Sequence, residues 1–251
     1  MERLFARQRP RRRAVAPARG QRPGNLAGGR FRFLNNLLYT CPSERAQALF
    51  AENPAAFEQY HAGYRQQMAR WPVQPIAVLQ RYILKNARAF RGATVVDLGC
   101  GEGELATRLA VDLPARRFRV VREVISLDLV ALRPHVEVRD IAHTGLAAGS
   151  ADCCVLSLSL MGTNYHQFIR EALRLLRPGG VLLVVEIASR LQSPEGFARV
   201  VANFGATTLQ QKQLGGYFWF FAFRRLGAAA PGANSGVNWG SLLRPCEYKR
   251  R

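Results

Sequence analysis

Acidic residues are scarce in this sequence: 17 Asp and Glu stand against 36 Lys and Arg, for a formal net charge of +19. Lysine is scarcer still, because 33 of the basic residues are arginine. Long apolar runs are missing. Val181–Val185 is typical of the longest, far short of the roughly 20 residues that cross a bilayer, so no membrane partner is expected. Cysteine is used sparingly and without pattern: Cys41, Cys100, Cys153, Cys154 and Cys246 are odd in number and form no C-x-x-C pair. That argues against a disulfide frame and a zinc site, so free thiols in a reducing compartment and no bound metal are expected. Met1–Arg32 contains no serine and no apolar core. A secretory signal is not expected there, and prolines spoil the amphipathic helix of a mitochondrial transit segment.

The arginine is unevenly placed. Ten lie in Met1–Arg32 with Glu2 as the only acid, and 26 basic against 16 acidic residues follow. A polyanionic partner is the natural inference, since arginine adds planar stacking and bidentate phosphate contacts. The alternative is a compositional bias toward Arg, Ala and Gly that leaves only a solvated basic surface. Arg7–Arg13 suits a nuclear or nucleolar address or an RNA-binding arm, and residues 1–30 are read as a basic arm without fixed structure.

The chain is organised around Thr94-Val95-Val96-Asp97-Leu98-Gly99-Cys100-Gly101-Glu102-Gly103-Glu104. Strand-prone residues run into an acid, a glycine-rich turn and a helical segment. A dinucleotide fingerprint needs a third glycine at position 104, where Glu104 stands. The carboxylates of Asp97, Glu102 and Glu104 are also wrong for a pyrophosphate, which wants bare amide N–H groups. A cationic, phosphate-free nucleoside fits better, and S-adenosylmethionine is such a molecule; an ordinary glycine turn is the alternative. Gly99 and Gly101 are the backbone positions expected against the cofactor, with Asp97 ahead of them.

Upstream, residues 31–92 read as a helical cap. Ser43 is suited to cap a short helix ending near Phe50. Asn53-Pro54 starts a second, carrying Phe57, Tyr60, His61, Tyr64, Met68 and Trp71 at helical spacing. Pro72 and Pro75 break it, and a third helix is expected over about Ile76–Phe90. A histidine on such a face, like His61, is ordinarily a satisfied core residue.

Residues 93–251 read as an α/β domain. Strands are expected at Glu123–Asp128, Val136–Asp140, Cys153–Leu158 and Val181–Ile187. Helices are expected at about Glu104–Asp112, His166–Leu176 (stopped by Arg177-Pro178-Gly179-Gly180) and Ser193–Phe204. Ligands of doubly wound sheets lie beyond the carboxyl ends of the strands. Asp128 is placed there for two ribose hydroxyls and Asp140 for an exocyclic adenine amine, although each suits a helix N-cap equally when taken alone. Thr207–Lys212 and Tyr217–Phe223, joined by Gly215-Gly216, form a terminal hairpin. Its position after alternating α and β units marks the methyltransferase version of the open sheet.

Several segments together are similar to the ribosomal RNA-processing protein 8 family of nucleomethylin-type methyltransferases. They are Phe31–Thr40 (FRFLNNLLYT), Tyr60–Gln67 (YHAGYRQQ), Trp71-Pro72, Asp97–Gly101, Leu158–Asn164 (LSLMGTN), Glu186–Arg190 and Tyr248–Arg251. The resemblance implies a Rossmann-like class I fold with a seven-stranded, mostly parallel sheet, a C-terminal antiparallel hairpin and an N-terminal helical cap. It implies S-adenosylmethionine contacts at His61, Gly99, Asp128, Asp140, Ile141 and Ser157, the last two standing where the family has methionine and cysteine. It further implies methylation of adenine N1 in large-subunit ribosomal RNA, within pre-ribosomal particles in the nucleolus of the nucleus. On this reading Met161, Thr163 and Asn164 line the base pocket, Glu186, Ser189 and Arg190 border it, and Lys249-Arg250-Arg251 joins the arm in holding RNA backbone. The plainer alternative for Gly162-Thr163-Asn164 is a helix cap. Two other functional classes stay open: a non-catalytic cofactor-binding scaffold in a nucleolar or rDNA-silencing complex, and a small-molecule methyltransferase whose arm is only an address.

Overall fold

The computed structural model describes residues 24–111, 120–227 and 237–246. Most of the basic arm, most of the Pro114–Arg122 loop, the centre of the 227–240 loop and the Lys249-Arg250-Arg251 tail lie outside the described residues. The helical part comes first: α1 (Gly24–Thr40), α2 (Ser43–Glu52), α3 (Pro54–Met68) and α4 (Pro75–Lys85). The alternating part follows: β1 (Ala93–Leu98), α5 (Glu104–Val111), β2 (Val121–Asp128), β3 (Val136–Val138), β4 (Ala151–Ser157), α6 (Tyr165–Leu175), β5 (Leu176–Ile187), α7 (Pro194–Asn203), β6 (Ala206–Leu214) and β7 (Phe218–Arg225).

The seven strands form one sheet in the order β3-β2-β1-β4-β5-β7-β6. Only β7 runs antiparallel to its neighbours, as the hairpin with β6 requires. Strands buried on both faces alternate between two cores. Val96, Leu98, Cys154 and Leu156 point toward α6 and α7, while Val95, Cys153 and Val155 point toward α4 and α5. The adjacent Cys153 and Cys154 therefore face opposite layers, and no disulfide joins any of the five cysteines.

The cap has a third core of its own. Gly63 lets α1 and α3 cross closely, since a Cβ there would lie 2.6 Å from the Phe31 ring, which stacks on Tyr60 at 5.5 Å between centroids. Asn53 caps α3 through its side chain, which accepts from the Ala56 N–H, and Pro75 opens α4. Trp71 lies past the end of α3 but stays buried, edge-on to Phe218 at 5.1 Å.

Four local expectations are corrected. Ser43 does not cap α2 with its hydroxyl; Pro42 holds the N-cap position without a side-chain bond, and the hydroxyl is committed elsewhere. The third helix ends at Lys85 and turns twice through Asn86 before β1, as the Asn86 carbonyl accepts from both Ala89 and Phe90. β3 stops at Val138, and Asp140 lies just past it. Arg177-Pro178-Gly179-Gly180 belongs to the start of β5, because the helix has already ended at Leu175. No helix among the described residues is long and apolar enough to cross a membrane.

Candidate active site

Strand register builds the site. Leu98 pairs with Leu127 at the carboxyl ends of β1 and β2. The Leu127 carbonyl then accepts from both the Gly99 and Cys100 N–H groups, at 2.9 and 3.0 Å. This folds the glycine loop back over β2, where the Gly101 N–H donates to one Asp128 carboxylate oxygen at 2.6 Å. The Leu129 N–H donates to the other at 2.7 Å. Gly99, Gly101 and Gly103 all have φ near +60 to +75°, which side chains resist. Gly101 also needs the space, because a Cβ would come within 3.0 Å of the His61 ring.

A cavity of about 510 Å³ opens above this loop, within the range of small-molecule sites. Its floor is the sheet edge: Asp97, Gly99, Gly101, Asp128, Asp140, Ile141 and Ser157 all line it. Its roof is the cap, including Phe50, Phe57, Tyr60, His61 and Tyr64. His61 is 8% exposed and packed among Phe57, Tyr60 and Tyr64. Burial pushes its pKa down to about 4, against the opposing pull of Glu102, so the ring is neutral at pH 7. At the rim Glu102 joins the cap to the loop, taking Arg65 from α3 and Arg133, the latter at 2.8 Å.

Asp97 carries the plainest chemical signal. It is 1% exposed, and neither carboxylate oxygen has a hydrogen-bond partner. Burial, then the neighbouring Asp128, raises its pKa to about 7; burial likewise raises Asp128 to about 6, opposed by its two N–H donors. An unpartnered buried carboxylate is costly unless a donor or cation completes it. These residues therefore fit S-adenosylmethionine. Asp97 would supply acceptors toward its positive end, Asp128 would keep lone pairs for vicinal hydroxyls and Asp140 for an amine, and Ile141 and Leu129, which line the same cavity, would wall the base. Asp140 is held by the Ser43 hydroxyl at 2.7 Å and by the Ala142 N–H at 2.8 Å. Among the described residues no group of three or more His, Cys, Asp or Glu is arranged to hold a metal.

The turn after β4 divides the expected base-pocket residues. Met161 lines the cavity, with its sulfur 3.6 Å from the Tyr60 hydroxyl. Thr163 is exposed and gives its N–H to the Cys41 carbonyl at 3.2 Å. Asn164 faces away from the cavity as a bracket. Its oxygen accepts from the Ser43 N–H at 3.0 Å, and its amide donates to the Ser43 hydroxyl and to Gln167 at 2.8 and 2.7 Å. With both amide hydrogens used, no donor is left for a base edge.

Glu186, Ser189 and Arg190 do not border the cavity either. Glu186 and Arg190 are 0% and 2% exposed and pair at 2.6 Å. Arg190 also donates to the carbonyls of Leu160 and Arg244 at 2.8 and 2.7 Å and lies over the Tyr39 ring. It clamps the turn, the C-terminal segment and α1 from beneath.

Two residues were given no role of their own from the sequence. Ser159 lines the cavity with a buried hydroxyl that has no partner. The signal available was its position at the end of a strand of an open sheet. Leu158, immediately before it, has φ +58°, alone among the described non-glycine residues. Nothing in the sequence marks that strain, which lies at a ligand cavity as such strain commonly does.

A sheet of this order and direction, with a glycine loop after β1 and acids closing β1 and β2, defines a class I S-adenosylmethionine-dependent methyltransferase. A solved structure of a methyltransferase from Burkholderia thailandensis, titled as binding 1,6-didemethyltoxoflavin and S-adenosylhomocysteine, shares the fold. Its TM-score is 0.54 at 15% identity, over 74% of this chain and 91% of that one.

A family model described as "Hypothetical methyltransferase" matches residues 19–251, and the chain belongs to that family. It is 35% identical to ribosomal RNA-processing protein 8 of Arabidopsis thaliana over 94% of this chain and 82% of that protein. It is 36% identical to a Schizosaccharomyces pombe protein named 25S rRNA (adenine(645)-N(1))-methyltransferase, over 90% of this chain and 70% of that one. Of several other curated relatives it spans only 46–63% of the length.

Proposed function

We propose that this protein methylates N1 of an adenine in large-subunit ribosomal RNA, acting on pre-ribosomal particles in the nucleolus. The observation that carries the chemistry is the cavity with the unpartnered Asp97 carboxylate at its sheet edge. The substrate rests on kinship with the S. pombe enzyme named for adenine N1, and on the net charge of +19. S-adenosylmethionine, when bound, supplies an electrophilic methyl group on a sulfonium.

The chain's residues are then left with positioning. Adenine N1 has a free lone pair at neutral pH, so no general base is required, and His61, its pKa pushed down to about 4 by burial, would be a weak one. What the protein contributes is alignment and exclusion of water. The apolar roof of Phe50, Phe57, Tyr60 and Tyr64 supplies the exclusion. N1 lies on the Watson–Crick edge, so the target base must be unpaired or extruded to enter. Met161 and Ser159 stand where the cavity meets the turn after β4, and they border the base. Thr163 and Asn164 hold that turn instead of touching the base.

Depletion of the protein, followed by mapping N1-methyladenosine in ribosomal RNA, tests the reading. Loss of one such modification is expected. Unchanged modification would leave a scaffold or a small-molecule enzyme in its place.

A further inference from the structure

The outer strip of α1 is exposed at Arg30, Phe33, Asn36 and Thr40, at three- and four-residue spacing. The opposite side buries Phe31, Leu34, Asn35 and Leu38 against the cap core. Phe33 is 66% exposed, the largest such value among the exposed large apolar residues described. No acidic residue occurs in Gly24–Thr40, and among the described residues neither Arg30 nor Arg32 has a carboxylate partner. A solvent-facing aromatic beside unpaired arginines is the composition that holds nucleic acid: guanidinium on phosphate, ring on base.

Described residues next to both basic ends of the sequence lie in or on this helix. Eight arginines precede Gly24. At the other end, the Asn35 side chain donates to the Cys246 carbonyl at 2.8 Å, so Lys249-Arg250-Arg251 follows a segment anchored on α1. Eleven residues separate Gly24 from Asn35, about 16 Å of helix. The C-terminal end of the helix reaches the cavity. Leu38, on its buried side, lines it, and the carbonyl of Cys41, one residue past α1, holds the Thr163 N–H of the turn that carries Met161.

We propose that the outer face of α1 is the docking surface for the RNA strand that presents the target adenine, with Arg30 and Arg32 on phosphates and Phe33 stacked on a base. The proposal rests on the RNA methylation argued above. RNA held there runs past the C-terminal end of α1, where an extruded base meets the cavity mouth at Met161.

The test uses a short stem-loop RNA with one unpaired adenine, followed by fluorescence anisotropy across a salt series. The full-length protein, Arg30→Gln/Arg32→Gln and Phe33→Ala are compared. The double variant is expected to bind about tenfold more weakly, and its log–log salt slope to become shallower by about 1.4, two phosphate contacts on single-stranded RNA. Phe33→Ala is expected to lose roughly fivefold or more with the slope unchanged, as stacking is not ionic. S-adenosylmethionine affinity and melting temperature should stay at wild-type values in both, since Arg30 and Phe33 are exposed and the half-buried Arg32 has no carboxylate partner among the described residues. Wild-type RNA affinity and slope in both variants would overturn the α1 surface while leaving RNA methylation standing. A wild-type protein that binds S-adenosylmethionine but not this RNA would sink both. Displacement of the RNA by polyglutamate as readily as by unlabelled RNA would reassign the face to an acidic protein.

Discussion

The Ser43 hydroxyl donates to the Asp140 carboxylate at 2.7 Å, across 97 residues of sequence, and so fastens the helical cap to the floor of the cavity. The same hydroxyl accepts from Asn164 at 2.8 Å. One buried oxygen therefore ties α2, the loop after β3 and the turn after β4 into one unit. Removing one partner from such a set leaves the others unsatisfied in a dry place.

Ser43→Ala is accordingly expected to cost about 1–2 kcal/mol in urea unfolding. It is also expected to weaken S-adenosylmethionine binding severalfold by calorimetry, because Asp140 loses the contact that fixes it. Unchanged stability and affinity would show that the latch is incidental.

Asp97 gives a two-sided prediction. Its folded pKa is about 7 against a reference of 3.8. Between those values the folded protein without cofactor keeps a proton that the unfolded chain has released, so stability is lost as pH rises through the window. Asp97→Asn is therefore expected to raise unfolding stability at pH 8 by roughly 2–4 kcal/mol and to change it little at pH 4. The same variant should lose most of the thermal stabilisation that S-adenosylmethionine gives the wild type. A destabilised variant at pH 8, or one stabilised by the cofactor as strongly as wild type, would contradict this role.

His61 has the opposite sign. Its folded pKa of about 4 lies below the reference 6.5. The unfolded chain binds the extra proton in that interval, and this residue's contribution to stability falls as pH drops from about 6.5 toward 4. Imidazole nitrogen shifts followed by NMR should show His61 neutral at pH 5. A midpoint near 6.5 would mean the ring is not buried in the roof.

The Glu186–Arg190 pair tests the corrected reading of that segment. Arg190→Met is expected to cost about 3–5 kcal/mol, since Glu186 is left buried without its partner. Adding Glu186→Leu should recover much of the loss in a double-mutant cycle. Additive losses would place the two side chains apart.

What could be read in the sequence and what could not divide along a physical line. The gathering of Asp97, Gly99, Gly101, Asp128 and Asp140 around one cavity was legible because strand alternation, glycine spacing and strand ends are local features, and an open sheet collects strand ends at one edge. The hairpin after Thr207 and the start of α3 at Asn53-Pro54 were legible for the same reason. The fates of Asn164 and Ser43 were not, because each is decided by a partner about a hundred residues away. Arg190 was misread as a cavity residue for a similar reason: its carbonyl partners, Leu160 and Arg244, belong to segments that only the tertiary fold brings together. A polar residue after a strand says that something polar is needed there; it does not say whether the partner is a ligand or the protein itself.

Reconstitution is the decisive test of adenine N1 methylation by this chain. Purified protein and S-adenosylmethionine would be incubated with large-subunit ribosomal RNA from cells lacking the protein, and the RNA digested for nucleoside mass spectrometry. N1-methyladenosine should form with the wild-type protein and be nearly absent with Asp128→Ala, whose cofactor binding should be lost. Methyl incorporation into another position or another base, or none at all from a protein that binds S-adenosylmethionine, would mean that the chain is not an adenine N1 methyltransferase.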